Sequence, residues 1–438
     1  MTRTVSFTAL EEAIFHLDLE FTPMNIQGEI VTTEPIDLDR LREATATACL
    51  THPFARARRQ PTHELASSYM WEIPDAVETD PVSVATLDGT DMASLRAEFY
   101  GNRFDLTAAP PFRLLVVRGD GEAGGDRLCC CVDHVAADGV GALRILRSIC
   151  QAYRGETPDG PPIDFETSRQ VMDDLRPESL GERLDRLGEA AGQLPKSVDP
   201  PARIAGEGAT DEDGWGFVHR RLDAELTDRL VNGRPEEVSV NDVLLAALHL
   251  GIDRWNATHG ESTETISLLM PVNLRPREWF YDVVGMYTLF VSVSTEADDR
   301  ETPQSAIAAV VEQTQRLKQR DRASAFQAAL DMIPPGLPVG LKRQLPNLLH
   351  GAGSRLLDTA VLSNLGRIPG AAPRLHEDDP GRLWLSPPCR QPIGVAIAAA
   401  TVEGNVYLGF RHDREQFDQE AAASFADLYV EQLESAVA

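Results

Sequence analysis

The segment from Arg127 to Tyr153 restricts the possible folds of this chain more than any other. Its first part, Leu128 to Val132, is a short apolar run of strand length. In its last part, Val140 to Cys150, apolar residues recur at roughly helical spacing. A polar turn from Asp133 to Gly139 separates the two parts. The pattern therefore predicts a strand, a sharp turn and a helix, and we expect Gly139 to adopt a backbone conformation that is closed to other residues.

Within this turn, His134 is followed four residues later by Asp138 and then by Gly139. Imidazole is the side chain whose unperturbed pKa suits proton transfer near neutral pH, so His134 is a candidate general base. The alternative is a plain strand–turn–helix in which the histidine and the aspartate only cap and hydrogen-bond the turn. Because a His-x-x-x-Asp pattern occurs by chance in many proteins, the choice depends on the rest of the chain.

The length of the chain predicts two domains. At 438 residues it is too long for one ordinary core and fits two domains of about 200 residues each. A hydrophobic content of 42% and a charged content of 25% are typical of a globular protein. Between Arg154 and Trp215 the sequence is polar and rich in proline, with a short amphipathic helix expected at 180–194. We therefore expect an N-terminal lobe at 1–175, a linker at 176–214 and a C-terminal lobe at 215–438.

The charge of the chain is strongly negative. The formal net charge is −27, from 68 acidic and 41 basic residues, and only three of the basic residues are lysines. Such a surface argues against nucleic acid and anionic membrane as partners, because both need clustered positive charge. A GC-rich genome would explain the preference for arginine but not the acidic excess. Because salt screens self-repulsion, we predict a cytoplasmic protein of a salt-adapted organism.

Several kinds of segment and site are not expected. No apolar run is long enough to cross a bilayer, and the N-terminus has no apolar core followed by a cleavage site, so we expect neither a transmembrane segment nor a signal peptide. The six cysteines show no metal-ligand spacing. We expect them to be buried free thiols rather than disulfides or a zinc site. We also expect no metal and a monomeric state.

Smaller features lead to local expectations. Asn241 and Asp242 are expected to cap a long helix, because both side chains are common at helix starts. The apolar run from Val283 is expected to form a strand. We assign His52 to a helix end, because the His52-Pro53 step ends the helix at 37–51, and His249 to the core or its boundary, because it lies on or beside the apolar face of its helix.

The order of several segments resembles that of one enzyme superfamily. These segments are the helix at 37–51 with the following His52-Pro53 step, the approach from Phe104 to Arg113, the helix start at Asn241-Asp242, the turn from Pro271 to Arg275, the Ser363-Asn364-x-Gly366 strand end and the closing segment from Tyr407 to Asp418. Together with the His134-x-x-x-Asp138-Gly139 motif, they make the chain resemble the condensation-domain and chloramphenicol-acetyltransferase superfamily. Wax-ester synthases and polyketide-associated acyltransferases are relatives of the same kind.

The resemblance implies both a fold and a mechanism. The implied fold is α/β, with two chloramphenicol-acetyltransferase-like lobes that meet in a V around a central tunnel, each lobe being a mostly antiparallel or mixed sheet with flanking helices. His134 would deprotonate an alcohol or amine, which then attacks an acyl thioester. Asp138 would be structural and paired with an arginine of the other lobe, which the order of segments identifies as Arg275. The fuller motif begins with two histidines, and here Asp133 stands in place of the first.

The chemistry needs few groups, because a thioester is already an activated acyl donor. Alignment, a base and stabilisation of the oxyanion suffice. For the oxyanion we expect Ser363 and Asn364, with backbone N–H groups as the alternative. The donor would be acyl-coenzyme A or an acyl group on a carrier protein's phosphopantetheine arm, and the acceptor a small molecule.

Two other functions compete with acyl transfer. One is a non-catalytic module that binds a carrier protein or a ligand without turnover. The other is a serine hydrolase, which the absence of a Gly-x-Ser-x-Gly motif disfavours.

Overall fold

The computed structural model describes most of the chain, namely residues 2–20, 22–108, 110–173, 200–210, 214–261, 263–319, 333–334, 336–344, 358–391 and 393–438, together with the single positions 179, 181 and 330. The short helix predicted at 180–194 and most of the linker predicted at 176–214 lie outside these residues. The boundaries of the two lobes therefore stay predictions.

In the described part of the chain, ten α-helices and fourteen β-strands are present. The helices are α1 (Ala9–Glu20), α2 (Leu38–Thr51), α3 (Met92–Gly101), α4 (Gly139–Tyr153), α5 (Phe165–Asp173), α6 (Ala224–Asn232), α7 (Val240–His259), α8 (Pro303–Gln319), α9 (Val339–Lys342) and α10 (Gln419–Ala436). The strands are β1 (Arg3–Ser6), β2 (Asn25–Val31), β3 (Arg58–Arg59), β4 (Met70–Ile73), β5 (Val82–Ala85), β6 (Phe112–Val117), β7 (Arg127–Asp133), β8 (Trp215–Arg221), β9 (Ile266–Asn273), β10 (Thr288–Thr295), β11 (Ala360–Arg367), β12 (Leu383–Ser386), β13 (Val395–Val402) and β14 (Asn405–Asp413).

The first large sheet has five strands in the order β12-β2-β7-β6-β5. Its strand pairs are antiparallel except β5 and β6, which are parallel. On one face, Cys130 and Val132 of β7 pack with Leu143 and Leu146 of α4. The predicted strand and helix are confirmed, since β7 and α4 stand on either side of the polar turn. A smaller sheet has three strands in the order β1-β4-β3, which come from the same half of the chain.

The second large sheet has six strands in the order β10-β9-β11-β13-β14-β8. β11 is parallel to both of its neighbours, and the other pairs are antiparallel. Helices α7, α8 and α10 cover one face, where Leu244, Val310 and Phe425 share a core with Ile397 of β13. This sheet and its helices form the core of the second half of the chain.

A third core, which we call the interlobe layer, joins the two large sheets. It comprises Tyr100, Leu115, Val117, Cys129, Cys131, Trp215, Phe217, Val361, Cys389, Ile393 and Ala396. Side chains alternate along β7, so Cys129 and Cys131 point into this layer while Leu128, Cys130 and Val132 point to the helices. The turn that follows β7 is therefore held where the two halves of the chain meet.

The two halves also exchange segments. From the C-terminal half, β12 pairs with β2 at the edge of the first sheet. Helix α9 lies against the N-terminal region, where Lys342 Nζ donates to Glu12 Oε2 at 2.7 Å. The predicted linker is also used, since its Ala202 and Ile204 pack into the core of the second half. The order of residues in the sequence does not reveal this exchange.

Helix α7 begins at Val240, and its N-cap lies two residues before the expected cap at Asn241. Its N-cap is Ser239, whose hydroxyl accepts a hydrogen bond from the N–H of Asp242, while the carboxylate of Asp242 accepts one from the N–H of Ser239. The expected cap at Asn241-Asp242 is therefore wrong in position. Asp242 contributes as the third residue of a capping box, a geometry in which both side chains are satisfied.

The residues assigned to structural positions are buried. His52 ends α2 and hydrogen-bonds Ser148 at 2.8 Å, and His249 hydrogen-bonds Thr295 at 2.8 Å in the core. All six cysteines are buried free thiols, as predicted. Of the helices in the described part of the chain, none combines the length and apolar character that crossing a membrane requires.

Candidate active site

His134 lies at the start of the turn, buried between the two halves of the chain. Its backbone N–H donates to the carbonyl of Met24 at 2.9 Å, and its ring packs edge-on against Phe290 with centroids 6.4 Å apart. Nδ1 lies 3.1 Å from the carbonyl oxygen of Ala137. Because a carbonyl oxygen only accepts, Nδ1 must carry the proton in this contact, and the lone pair of the neutral ring is on Nε2.

The protonation state of His134 follows from its surroundings. Burial lowers the pKa of His134 below the ordinary value of 6.5, although the hydrogen bond to Ala137 and the charge of Asp138 oppose this change. The ring is therefore neutral at neutral pH. Within the described residues no side chain or backbone group hydrogen-bonds Nε2. The arrangement provides an unprotonated, unoccupied base nitrogen whose tautomer is set by the turn itself.

Asp138 is the N-cap of α4, and its carboxylate accepts four hydrogen bonds. Its Oδ1 accepts the N–H of Gly141 at 3.0 Å. Its Oδ2 accepts Arg275 Nη1 at 2.6 Å, the N–H of Tyr287 at 3.0 Å and the hydroxyl of Thr288 at 2.9 Å. Burial would raise the pKa of Asp138, but the charge and hydrogen bond of Arg275, together with the backbone donors, lower it below its ordinary value. The carboxylate is therefore ionised and fully engaged, and it has no free oxygen with which to relay protons.

Arg275 uses its whole guanidinium. Besides the bond to the turn aspartate, Nη1 donates to Asn273 Oδ1 at 3.4 Å, Nε and Nη2 donate to the carbonyl of Val283, and Nη2 also donates to the carbonyl of Gly285 at 2.9 Å. The five N–H hydrogens of an arginine thus all have acceptors. The ring of Tyr287 lies 4.5 Å below the guanidinium carbon.

These bonds explain a difference from the expected secondary structure. The carbonyls of Val283 and Gly285 are occupied by Arg275, and Gly285 also accepts the N–H of Asp138 at 3.1 Å. They are not available to a sheet, so β10 begins only at Thr288. The expected start of that strand at Val283 is therefore wrong, and the residues before Thr288 form the cradle of the arginine.

Asp133 shapes the turn from its first position. Its Oδ1 accepts the N–H of Val135 at 2.9 Å, and its carbonyl accepts the N–H groups of Ala136 and Ala137 at 3.2 Å. Burial, followed by the charge of Asp18, raises the pKa of Asp133 well above its ordinary value. In this chain the residue in place of the first motif histidine stabilises the turn.

The glycines of the turn differ from expectation. Gly139 is the first residue of α4 and is not among the residues with positive φ, so the expected special conformation is wrong. A Cβ at this position would lie 3.6 Å from Leu365, an ordinary contact. At Gly141, however, a Cβ would lie 3.1 Å from Ala137 Cβ and 3.2 Å from the backbone N and O of Gly285. The close approach of the two halves therefore requires glycine at 141.

Ser363 and Asn364 lie on β11, the strand whose next residue, Leu365, faces Gly139. Both side chains are partly exposed, and Asn364 Oδ1 accepts the N–H of Gly366 at 2.9 Å. Within the described residues neither forms a hydrogen bond with His134. The structure thus places their strand beside the start of α4 but does not bring their side chains to the imidazole.

Part of this site was not predicted from the sequence. Gly285, Tyr287 and Thr288 complete the cage around Asp138, and Phe290 forms the wall beside His134. The only signal available was that these residues follow the Pro271–Arg275 turn in one short run. Backbone donors and acceptors, which supply much of the cage, leave no trace in residue identity. No group of three or more metal-ligating side chains occurs in the part of the chain that the structure describes.

Comparison with curated proteins finds relatives along the whole chain. An uncharacterized protein of Mycobacterium tuberculosis is 34% identical over 445 residues, which cover 99% of this chain and 100% of that protein. A linear gramicidin synthase polypeptide of Brevibacillus parabrevis is 23% identical over 434 residues, which cover 92% of this chain and 8% of that polypeptide. No family model matches the chain.

Comparison with solved structures establishes the fold. The epimerization domain from the third module of tyrocidine synthetase B aligns with a TM-score of 0.69 at 15% identity, covering 100% of this chain and 96% of that domain. A mutant starter condensation domain of rhizomide synthetase, in complex with C8-CoA, aligns with a TM-score of 0.68 at 13% identity, covering 99% and 95% of the two chains. The predicted α/β fold of two lobes is confirmed.

Proposed function

We propose that this chain, which belongs to the condensation-domain superfamily and shares a family with the mycobacterial protein, is an acyltransferase that uses His134 as its general base. Domains of this superfamily transfer acyl or peptidyl groups, and the fold supports such transfer in general. The donor would be acyl-coenzyme A or an acyl group on the phosphopantetheine arm of a carrier protein. The acceptor would be the hydroxyl or amine of a small molecule.

One observation carries the proposal, the state of the His134 ring at the junction of the halves. Nδ1 is held by Ala137, which leaves the lone pair on Nε2, and burial keeps the ring neutral. The turn that aims it is anchored by the Asp138–Arg275 pair across the two halves of the chain. A free ring nitrogen alone is not distinctive, because the core histidine His249 also has a buried Nε2 without a partner among the described residues; what distinguishes His134 is its place in the turn at the junction of the halves. Here one nitrogen positions the ring and the other is unbonded among the described residues.

The reaction can be written with these groups alone. His134 Nε2 accepts the proton of the acceptor's O–H or N–H as the oxygen or nitrogen attacks the thioester carbonyl carbon. The C–S bond then breaks, the thiol leaves with the proton that the imidazolium returns, and an ester or amide remains. The tetrahedral oxyanion needs a donor, for which we propose Ser363, Asn364 or a backbone N–H that approaches when substrate is bound.

The source of the acyl group decides whether this protein needs a carrier protein as a partner. The rhizomide synthetase domain was solved with C8-CoA, and that domain has nearly the same fold as this chain. The linear gramicidin synthase polypeptide is much longer than the segment that matches. We therefore propose coenzyme A thioesters and carrier-protein thioesters as the two donor classes to be tested. Separately, we propose a monomer that works in the cytoplasm of a salt-adapted organism.

The test is acyl transfer followed by mass spectrometry. Wild-type protein is incubated with a panel of acyl-coenzyme A donors and loaded carrier proteins, together with mixed small amines and alcohols, and both released thiol and acylated product are measured. We expect His134→Ala to lower kcat/KM by about 10²–10⁴-fold, the usual contribution of a positioned base. His63→Ala, the same substitution at an exposed histidine, is the matched control and should leave activity unchanged.

The pH dependence adds a second readout. The base acts only when unprotonated, and the pKa of His134 lies below its ordinary value of 6.5. The rate should therefore fall as the pH is lowered, with a midpoint below pH 6.5. Full activity in His134→Ala would overturn the mechanism. Binding of thioesters without any turnover in the wild type would favour the alternative, a non-catalytic carrier-protein or ligand-binding module.

A further inference from the structure

Arg411 of β14 is a buried cation in the interlobe layer. Its strand neighbours in register are Ala396 and Phe217, and its guanidinium carbon lies 4.6 Å from the centre of the Trp215 ring. It is among the largest side chains that are less than 2% exposed. In the described residues it has one hydrogen bond, from Nη1 to the carbonyl of Asn25 at 3.4 Å, the upper limit for such a bond.

No counter-charge accompanies this cation. Among the described residues no carboxylate lies within ion-pair distance of Arg411, and its Nε is buried without an acceptor. Burial lowers the pKa of Arg411 to about 10, while the thiols of Cys389 and Cys131 oppose this effect, so the group is still charged at neutral pH. An unpaired buried charge destabilises a fold, and apolar side chains commonly replace buried ionic groups without loss. Stability therefore does not explain an arginine at this position.

Two buried side-chain acceptors without donors among the described residues belong to Asn25, whose carbonyl Arg411 contacts, and to Gln27, whose Nε2 donates to the same carbonyl. Asn25 Nδ2 donates to the carbonyls of Tyr100 and Asn102 at 3.1 Å, which directs Oδ1 away from them, and Oδ1 has no donor within the described chain. Gln27 Nε2 donates to the carbonyl of Asn25 at 2.9 Å, the same oxygen that Arg411 contacts, and its Oε1 is equally unpaired there. Both amide orientations are fixed by these bonds.

The cluster of Arg411, Asn25 and Gln27 adjoins the catalytic turn. Asn25 is the register partner of Asp133, the residue immediately before His134, and Gln27 is the partner of Cys131. The three side chains thus lie in the interlobe layer. Asn25 and Gln27 are on β2, the strand that pairs with β7, and β7 ends at Asp133, just before His134. Arg411 supplies a positively charged donor without a counter-charge, and Asn25 Oδ1 and Gln27 Oε1 are uncharged acceptors without a donor among the described residues.

We propose that Arg411, Asn25 and Gln27 form a substrate-recognition subsite for a carboxylate that has an N–H donor close by, as in an amino acid. Arg411 would bind the carboxylate through two parallel N–H bonds, the geometry that a guanidinium favours, and the amide oxygens would accept the N–H. The group can belong to a free amino acid as acceptor or to an amino acid within the donor's acyl chain. Naming the ligand a substrate rests on the proposed function, whereas binding itself does not.

The experiment measures binding to the full-length protein, without turnover, by titration calorimetry. One arm compares L-alanine with L-alaninamide, which lacks the carboxylate, to test a free acceptor. The other arm compares N-acetyl-L-glutamate with its diamide, and glutamyl-coenzyme A with pentanoyl-coenzyme A, to test a carboxylate within the donor. The variants are Arg411→Met, which keeps an unbranched side chain over Trp215, and Arg220→Met, a partly exposed arginine of the neighbouring strand paired with Asp427, as the matched control.

We expect the carboxylate member of one arm to bind at least tenfold more tightly than the member that lacks this carboxylate, in the wild type and in Arg220→Met. This preference should disappear in Arg411→Met. Without ligand, Arg411→Met should melt at the same temperature as the wild type or higher, because it removes an unpaired charge. The arm that shows the preference identifies the source of the carboxylate.

Three results would overturn the subsite. They are equal binding of both members in both arms, a preference that survives in Arg411→Met, and a melting temperature of Arg411→Met well below that of Arg220→Met, which would mean that the fold itself uses the guanidinium. Failure of the proposed function would look different. The wild type would show no transfer activity, or His134→Ala would have full activity, while the binding preference stayed intact.

Discussion

Two arginines are buried between the halves of this molecule, and their surroundings are opposite. Arg275 has an acceptor for each of its five N–H hydrogens and a carboxylate at 2.6 Å. Arg411 has one long hydrogen bond and, within the described residues, no carboxylate partner. Both have an aromatic ring beneath the guanidinium, Tyr287 for the first and Trp215 for the second. The difference separates a charge that holds the fold together from one that the fold leaves unsatisfied.

The satisfied site joins segments that are far apart in the sequence. Asp138 comes from the first half of the chain, and Arg275, Gly285, Tyr287 and Thr288 come from the second. Each bond links the start of α4 to the stretch from Arg275 to Thr288, so the same contacts fix the turn that carries His134 and the junction of the halves. We infer that removing a partner here should damage the fold, whereas removing the unsatisfied arginine should not.

The largest expected effect follows from breaking the satisfied pair. Asp138→Ala leaves Arg275 buried without its counter-charge, and we expect a loss of about 3–5 kcal/mol in the free energy of unfolding, with Arg275→Ala similar. In the double mutant no charge is left unpaired, so its loss should be smaller than the sum of the two. Denaturant unfolding of the four proteins at fixed high salt gives the coupling energy.

The control for that cycle is an exposed pair. Asp427→Ala removes the partner of Arg220, where the aspartate side chain is 61% exposed, and should change stability by less than about 1 kcal/mol. Strictly additive losses at Asp138 and Arg275 would contradict the coupling of the pair while leaving the role proposed for His134 intact.

The sequence predicts the satisfied site better than the unsatisfied one. The order of family segments singled out Arg275 as the partner of Asp138, and the structure places the two side chains in contact. Arg411 was only part of a closing segment, because the absence of a partner depends on which side chains of the other half face it. The pairing of β12 with β2 was missed for the same reason, since residues about 350 positions apart carry no shared local pattern.

Local rules failed where tertiary contacts decide. The turn at Gly139 was interpreted through backbone freedom, yet that residue has ordinary helical geometry. The close approach is instead at Gly141, where the backbone of Gly285 lies against the helix. Neighbouring residues supply only part of the crowding at Gly141, the contact with Ala137, and the rest comes from the backbone of Gly285 in the other half of the chain.

A smaller effect tests how tightly the satisfied junction is packed. Gly141→Ala would place a Cβ 3.1 Å from Ala137 and 3.2 Å from the backbone of Gly285, and we expect it to destabilise the protein by about 1–3 kcal/mol, as overpacking does. Gly139→Ala meets only an ordinary contact and should be neutral or slightly stabilising, since alanine favours helices. Thermal melting of both variants checks the contrast. Equal melting temperatures would mean that the halves do not approach closely at Gly141.

The smallest effect per charge should come from a change in salt concentration. Salt should affect the exposed charges and leave the buried Asp138–Arg275 pair unchanged. With 68 acidic and 41 basic residues, lowering potassium chloride from molar to millimolar concentration should lower the melting temperature, because repulsion between exposed carboxylates is no longer screened. The Asp138–Arg275 pair is shielded from solvent, with side chains that are 1% and 0% exposed, so salt should hardly screen it. We therefore expect the coupling energy of the pair to stay constant over the same range. A melting temperature that does not change would refute salt adaptation, whereas a coupling energy that follows the salt would mean that water reaches the junction.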